Sequence, residues 1–237
     1  LMVDGFVEEK RGVVPNTKWK REKIGKSWYL GETLHSGIGQ GYWQTTPLQL
    51  CLMNAQVANG GYEIKPRLVL NKEKEKDFAS LEQFVEDKKN FTDDTGFLSD
   101  IYSNFRYKTL FKNQENINFV KEALYGATNE VGGTSYGSRL PKEFIYAGKT
   151  GTSQVRKFTE RQRELEIKNE DLPYEQRDHA LFVAFAPYKD PRYSISVVVE
   201  HGGSGSKAAA PIAKKVIKKL LERHNLREKM LNEGKDI

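Results

Sequence analysis

Residues 181–200 limit the fold more than any other part of the chain. Leu181-Phe182-Val183-Ala184-Phe185-Ala186 is apolar at every position, the mark of a strand buried on both faces. Residues 187–192 leave room only for a short connection through Asp190-Pro191. Residues 193–200 then alternate, with Tyr193, Ile195, Val197 and Val199 set against Ser194 and Ser196. A link this short cannot contain a crossover, so the two strands must be antiparallel. Gly202-Gly203-Ser204-Gly205 ends the second strand, and the pattern predicts a helix over about 208–224. Ile212, Ala213, Val216, Ile217, Leu220 and Leu221 form its apolar face, and Lys214, Lys215, Lys218, Lys219 and Arg223 form the other. A Gly-rich turn delivers this helix straight from a core strand, so it is expected to pack across the sheet rather than lie on a membrane. Helices on an antiparallel sheet make an α+β fold.

Upstream, Thr46-Pro47-Leu48-Gln49 is a strong helix start. Thr46 can cap, Pro47 suits the first turn, and Gln49 completes a capping box. Leu48, Cys51, Leu52 and Ala55 give the expected core stripe, and Asn59-Gly60-Gly61 stops the helix. Residues 1–45 show little periodicity and read as ordered but irregular. Residues 62–70 read as extended but are interrupted by Pro66, which argues against a central strand. Residues 71–115 are polar without a firm pattern. A helix is expected over 118–130, with Val120, Ala123, Leu124 and Ala127 inward, ending at Gly132-Gly133. A strand is expected over about 143–155. Residues 156–178 are more than half charged, as in a long solvated loop.

Composition narrows the function classes. The net charge of +6 comes from bases interleaved with acids, which fits a solvated surface and gives no nucleic-acid patch. The single Cys51 excludes an internal disulfide. His35, His179, His201 and His224 lack metal-ligand spacing, so neither a metal nor any other cofactor is expected. No apolar run approaches the 18 residues of a membrane span. The opening Leu-Met-Val-Asp-Gly shows no signal peptide and reads as the start of a fragment.

The chemistry is concentrated in Lys149-Thr150-Gly151-Thr152, on the strand over 143–155. Lys-Thr-Gly is one of three motifs in serine enzymes that acylate on penicillin or peptidoglycan. Lys149 would place a fixed positive charge beside a reaction centre. Thr150 and Thr152 offer hydroxyls to a carboxylate, Gly151 allows a ligand close to the backbone, and the Thr152 N–H can serve as an oxyanion donor. The bare motif is equally compatible with an ordinary strand containing a Gly bulge. Two other patterns are weaker. His35-Ser36-Gly37-Ile38-Gly39-Gln40-Gly41 has the glycines of a phosphate loop without its spacing or preceding strand, and reads as a tight turn. Ser204-Gly205-Ser206-Lys207 matches Ser-x-x-Lys literally but sits in a Gly-rich turn, where Ser206 reads as the cap of the last helix.

These segments, in this order, resemble the C-terminal part of the transpeptidase domain of class B penicillin-binding proteins, in the elongation-type penicillin-binding protein 2 branch. The residues that carry the resemblance begin with Glu9-Lys10, Gly12, Pro15 and Trp19-Lys20. They continue with Gly37-Ile38-Gly39-Gln40-Gly41-Tyr42-Trp43 leading into Thr46-Pro47-Leu48-Gln49, and with residues 147–155 around the Lys-Thr-Gly. Asp178-His179-Ala180 with the following strand to Pro187, and Val199-Glu200-His201-Gly202-Gly203, complete the set. The resemblance implies a penicillin-binding-protein and serine β-lactamase-like fold, an antiparallel sheet flanked by helices, with residues 1–237 as the C-terminal part of a single domain. It implies a D,D-transpeptidase: a Ser attacks the penultimate D-Ala of a stem peptide, expels the terminal D-Ala, and the acyl group passes to a neighbouring amine. It implies roles for Lys149 and Thr152 in catalysis and for Thr150, Gly151 and Thr152 in binding substrate, with residues 156–178 bordering the cleft. The implied partners are D-Ala-D-Ala stem peptides, β-lactams, a membrane glycosyltransferase and elongation-complex proteins, at the periplasmic face of the inner membrane. No Ser-x-Asn occurs in the chain, and Ser204 is its only Ser-x-x-Lys serine. The nucleophile, its Lys and the membrane anchor are therefore expected upstream, and this chain alone is expected to be inactive. A penicillin-recognising sensor or a silent binding module on the same fold is the alternative.

Overall fold

The computed structural model describes residues 10–64, 66, 109–156, 164 and 167–233. Three strands form one antiparallel sheet in the order β1 (Ala147–Ser153), β2 (His179–Ala186), β3 (Tyr193–Val199). The centre is β2, the strand expected to be buried on both faces. It pairs Gly148 with Ala184 and Thr150 with Phe182 on one side, and Phe182 with Val197 on the other. Among the described residues β1 is an edge strand, with alternate backbone groups free of sheet pairing.

Helices cover both faces of the sheet. On one face lie α3 (Pro47–Ala58), over β3 and β2, and α4 (Gln114–Asn129), over β1. The other face carries α5 (Ala210–Asn232), entered through a wide turn at Gly205–Ala209. Phe182, Ala180 and Ala184 meet Ala209, Ala210, Ala213, Ile217 and Leu221 in the main core. Small residues on both partners let α5 approach β2 closely. On the opposite face Ala147 and Phe185 pack with Ala58, Leu124 and Tyr125.

Each helix departs from its sequence reading for a local reason. The α3 capping box forms as expected: Gln49 N–H donates to Thr46 Oγ1 at 3.2 Å and Thr46 N–H to Gln49 Oε1 at 3.0 Å. Its buried residues are Leu52, Asn54, Val57 and Ala58, while Leu48 stays open. The helix is rotated to place Asn54 Nδ2 2.9 Å from Ser194 Oγ, which itself donates to Cys51 O. The serines of β3 therefore face a helix rather than solvent. α4 begins four residues earlier than expected because the Asn113 side chain caps Glu115 N–H. It rests on the sheet by its C-terminal half, through Leu124 and Thr128, so Val120 and Ala123 are exposed instead of inward, and the buried Ile117 lies beside Gly61 instead. The last helix runs on to Asn232, past the expected end near 224. Ala213, Ile217 and Leu221 are its buried stripe, and Ile212 and Val216 are exposed.

Residues 10–45 are more regular than their composition implied. They contain α1 (Thr17–Ile24), capped by Asn16 and closed by Gly25 at φ 72°, and α2 (Leu30–Gly37). The two are clamped by Lys20, 1 % exposed, whose ammonium donates to both Glu32 oxygens at 2.5 and 2.6 Å and to Ser27 O at 2.6 Å. The hydrogen bonds from Lys20 hold the Glu32 carboxyl below its ordinary value. Of the stretch His35–Gly41 read as a tight turn, His35–Gly37 instead closes α2, and only the part after it turns, with Gly39 and Gly41 in the left-handed region. Tyr62 bridges to Thr109. Residues 63, 64 and 66 join no strand, and the rest of the extended reading over 62–70, the polar stretch 71–108 and most of 157–166 lie outside the described residues. Among the described residues no helix is long and apolar enough to cross a membrane.

Candidate functional site

The Lys-Thr-Gly motif lies on β1, in the middle of the edge strand. The strand is shorter than the expected 143–155. Residues Lys142–Phe144 form a tight turn before it, with Phe144 N–H bonded to Pro141 O. At its far end Val155 N–H donates to Asp178 Oδ1 at 3.2 Å instead of to a strand. The register places Lys149 opposite Val183, Gly151 opposite Leu181 and Thr152 opposite Ala180. Lys149 and Thr152 are exposed, and Thr150 and Gly151 are half-buried.

Lys149 Nζ donates to Thr150 O at 2.9 Å and to Thr150 Oγ1 at 3.4 Å. It makes no ion pair among the described residues, so its charge faces the open side of the strand. Thr150 Oγ1 in turn donates to Thr134 Oγ1 at 3.2 Å. Gly151 is held from behind by Gly205. A Cβ on Gly205 would lie 2.7 Å from Gly151 O and 2.5 Å from Leu181 O. The turn that starts the α5 segment is thus pressed against the backbone of the motif, and only a residue without a side chain fits there.

Two further groups fix the surroundings. Asp178, 4 % exposed, receives Val155 N–H on Oδ1 and Asn169 Nδ2 on Oδ2 at 2.8 Å, while its own N–H donates to Asn169 Oδ1 at 2.9 Å. Its carbonyl accepts from Gly203 N–H at 2.8 Å. The Asp178 carboxylate so ties the end of β1 to the loop before β2, and its main-chain carbonyl ties that loop to the turn after β3. Beside it, His201 N–H donates to His179 Nδ1 at 2.9 Å, and His201 Nδ1 bonds Arg177 O at 2.9 Å. These contacts join the sequence blocks that begin at Asp178 and end at Gly203. The charged loop is not uniformly solvated, since Leu172 and Asp178 are both buried.

The Ser204-x-x-Lys207 match does not form a serine–lysine pair. Ser204 Oγ lies 3.0 Å from Ser206 Oγ, and the Lys207 ammonium is ion-paired with Glu170. Ser204, rather than Ser206, stands at the start of the turn, with its carbonyl accepting from Ala208 N–H. The sequence reading assigned nothing to Thr134, and it read Gly205 only as part of the turn that ends β3. Gly132-Gly133 marked the bend that carries Thr134, but no local pattern marks the threonine itself.

A family profile described as the penicillin binding protein transpeptidase domain matches residues 4–218. The chain belongs to this family. Among curated proteins, the peptidoglycan D,D-transpeptidase MrdA of Salmonella typhimurium is 33% identical over 215 residues, which cover 91% of this chain and 31% of that protein. MrdA of Haemophilus influenzae is 31% identical over 213 residues, 89% of this chain and 29% of that protein. The chain therefore spans about a third of the length of these relatives. Among solved structures, PBP2 of Helicobacter pylori in complex with MreC superposes with a TM-score of 0.68 at 27% identity, over 93% of this chain and 32% of that one. PBP2 of Pseudomonas aeruginosa in complex with WCK 5153 gives a TM-score of 0.63 at 29% identity, over 90% of this chain and 38% of that one. The fold is accordingly the α+β transpeptidase fold, and the sheet flanked by helices is its observed core.

Proposed function

We propose that this chain is the C-terminal part of a single transpeptidase domain in a peptidoglycan D,D-transpeptidase of cell elongation, and that β1 forms the substrate-binding wall of its site. The observation that carries this reading is Lys149-Thr150-Gly151-Thr152 on a strand that, among the described residues, is an edge with its charge unpaired and its backbone partly free, in a chain of this family. An extended stem peptide can run alongside such an edge. Lys149 attracts the terminal carboxylate of D-Ala-D-Ala, and the hydroxyls of Thr150 and Thr152 hold it. The Thr152 N–H stabilises the oxyanion as a Ser elsewhere in the protein attacks the penultimate D-Ala carbonyl. A donor of this type contributes about 3–4 kcal/mol to the transition state. The C–N bond to the terminal D-Ala breaks, and an amine of a second strand takes the acyl group. β-Lactams enter by the same carboxylate contacts and stay on the Ser. Residues 167–178 border the cleft, anchored through Asp178.

The MrdA names of the relatives and the MreC complex of the Helicobacter pylori protein support an elongation-complex partner for the whole protein. A membrane glycosyltransferase as partner, and a position at the periplasmic face of the inner membrane, complete the proposal. The test is to label the full-length protein with a fluorescent penicillin and map the modified residue. Attachment to a Ser outside residues 1–237 is expected. No labelling, or attachment to Ser204, contradicts the reading.

A further inference from the structure

We propose that Thr134 is a positioning residue for the Lys149–Thr150 pair, a role that rests on the transpeptidase reading above. Three polar groups form a directed chain. Lys149 Nζ donates to Thr150 Oγ1 at 3.4 Å, and Thr150 Oγ1 donates to Thr134 Oγ1 at 3.2 Å. A hydroxyl has one hydrogen and two lone pairs. With its hydrogen directed at Thr134, Thr150 turns its lone pairs toward the ammonium. Thr134 keeps its own hydrogen free of this chain and is itself exposed, so that hydrogen is available to a ligand lying along β1.

The placement of Thr134 is built by its neighbours. Gly132 takes φ +91°, and Gly133 lies so close to the end of α4 that a Cβ would sit 2.5 Å from both Gly126 O and Ala127 O. Ser135 is buried and bonds Ala127 O twice, through its N–H at 3.0 Å and its Oγ at 2.9 Å. One residue along, Thr128 Oγ1 donates to Gly148 O at 3.2 Å, and Asn129 Nδ2 donates to Tyr146 O at 2.8 Å. The last turn of α4 is thereby fixed to the start of β1. Residues on either side of Thr134 hold the loop, while among the described residues its own hydroxyl reaches only the motif. Its structural and site contributions are separable for that reason.

The experiment uses the full-length protein, with the acylation of a fluorescent penicillin resolved into a non-covalent dissociation constant and an acylation rate constant. Thr134→Val is expected to lower the rate constant about 3- to 10-fold, the worth of one hydrogen bond, with an unchanged melting temperature. Thr134→Ser, which keeps the hydroxyl, is expected to restore the rate. An unchanged rate constant in Thr134→Val overturns the role, as does equal impairment by Val and Ser. A large loss of melting temperature in both Thr134→Val and Thr134→Ala also overturns it, because the loop would then depend on Thr134. If the unsubstituted protein is not labelled, the transpeptidase reading falls and this role falls with it. If it is labelled while Thr134→Val acylates normally, only this role falls.

Discussion

Gly205→Ala is the sharpest structural perturbation of the motif that leaves its own residues untouched. The added methyl would lie 2.5 Å from Leu181 O, 2.7 Å from Gly151 O and 3.1 Å from Gly151 N. Ordinary contact begins at 3.4 Å, so relief requires shifts of 0.9 Å and 0.7 Å (3.4 − 2.5 and 3.4 − 2.7). All three atoms are backbone of paired strands, which cannot rotate away as a side chain can. Overpacking of this kind costs about 1–3 kcal/mol. At about 2–4 °C per kcal/mol for a domain of this size, melting falls by about 2–12 °C. The displacement also acts on chemistry. Moving Gly151 by some tenths of an ångström shifts Lys149 and Thr152 on either side, and misplacement by about 1 Å can cost about 100-fold in rate. Thermal melting and penicillin acylation of the full-length protein read the two effects. Gly137→Ala is the control, since a Cβ there meets nothing within 4 Å. If Gly205→Ala melts and acylates like the unsubstituted protein, the contact between the α5 turn and the motif strand is wrong.

Two other outcomes follow from hydrogen-bonded carboxylates. The Glu32 carboxyl is held below its ordinary value of 4.5 by the Lys20 hydrogen bonds. A depressed carboxylate stabilises the fold above that pH and loses its contribution as pH falls through the lower folded value. Melting of Glu32→Gln should therefore fall short of the unsubstituted protein near neutrality, and the gap should close below about pH 4.5. A gap independent of pH refutes the assignment. Asp178→Asn keeps the shape but presents an NH2 to one of two donors, Val155 N–H or Asn169 Nδ2. Denaturant unfolding should show a loss of about 1–3 kcal/mol, and an unchanged midpoint would remove Asp178 as the tie.

The parts of this fold that could be read from sequence are those governed by short-range rules. The capping box at Thr46 and Gln49, the all-apolar β2 and the alternating β3 each carry their structure within a few residues. The helices of residues 10–45 were missed because α1 carries no apolar stripe. Its signals are two caps, Asn16 and Gly25, and the buried Lys20–Glu32 pair, which looks like surface charge until the chain is folded. The inward face of α4 was misread because its apolar residues Phe119 and Val120 point outward, while Thr128 and Asn129 make the polar ties to β1. At the candidate site, Lys149-Thr150-Gly151-Thr152 stood out as a contiguous string. The link of its supports to it did not, because Thr134, Asp178 and Gly205 lie 16, 28 and 55 residues from Thr150 by their numbers (150 − 134, 178 − 150, 205 − 150). Only the folded register brings them to the same strand.

The most direct test of the central claim is Lys149→Ala in the full-length protein. Lys149 is exposed and, among the described residues, bonds only its neighbour Thr150, so its removal should leave melting unchanged. Labelling by a fluorescent penicillin should be abolished or strongly reduced. Near-normal labelling of a stable Lys149→Ala protein would contradict the assignment of β1 as the wall that receives the substrate.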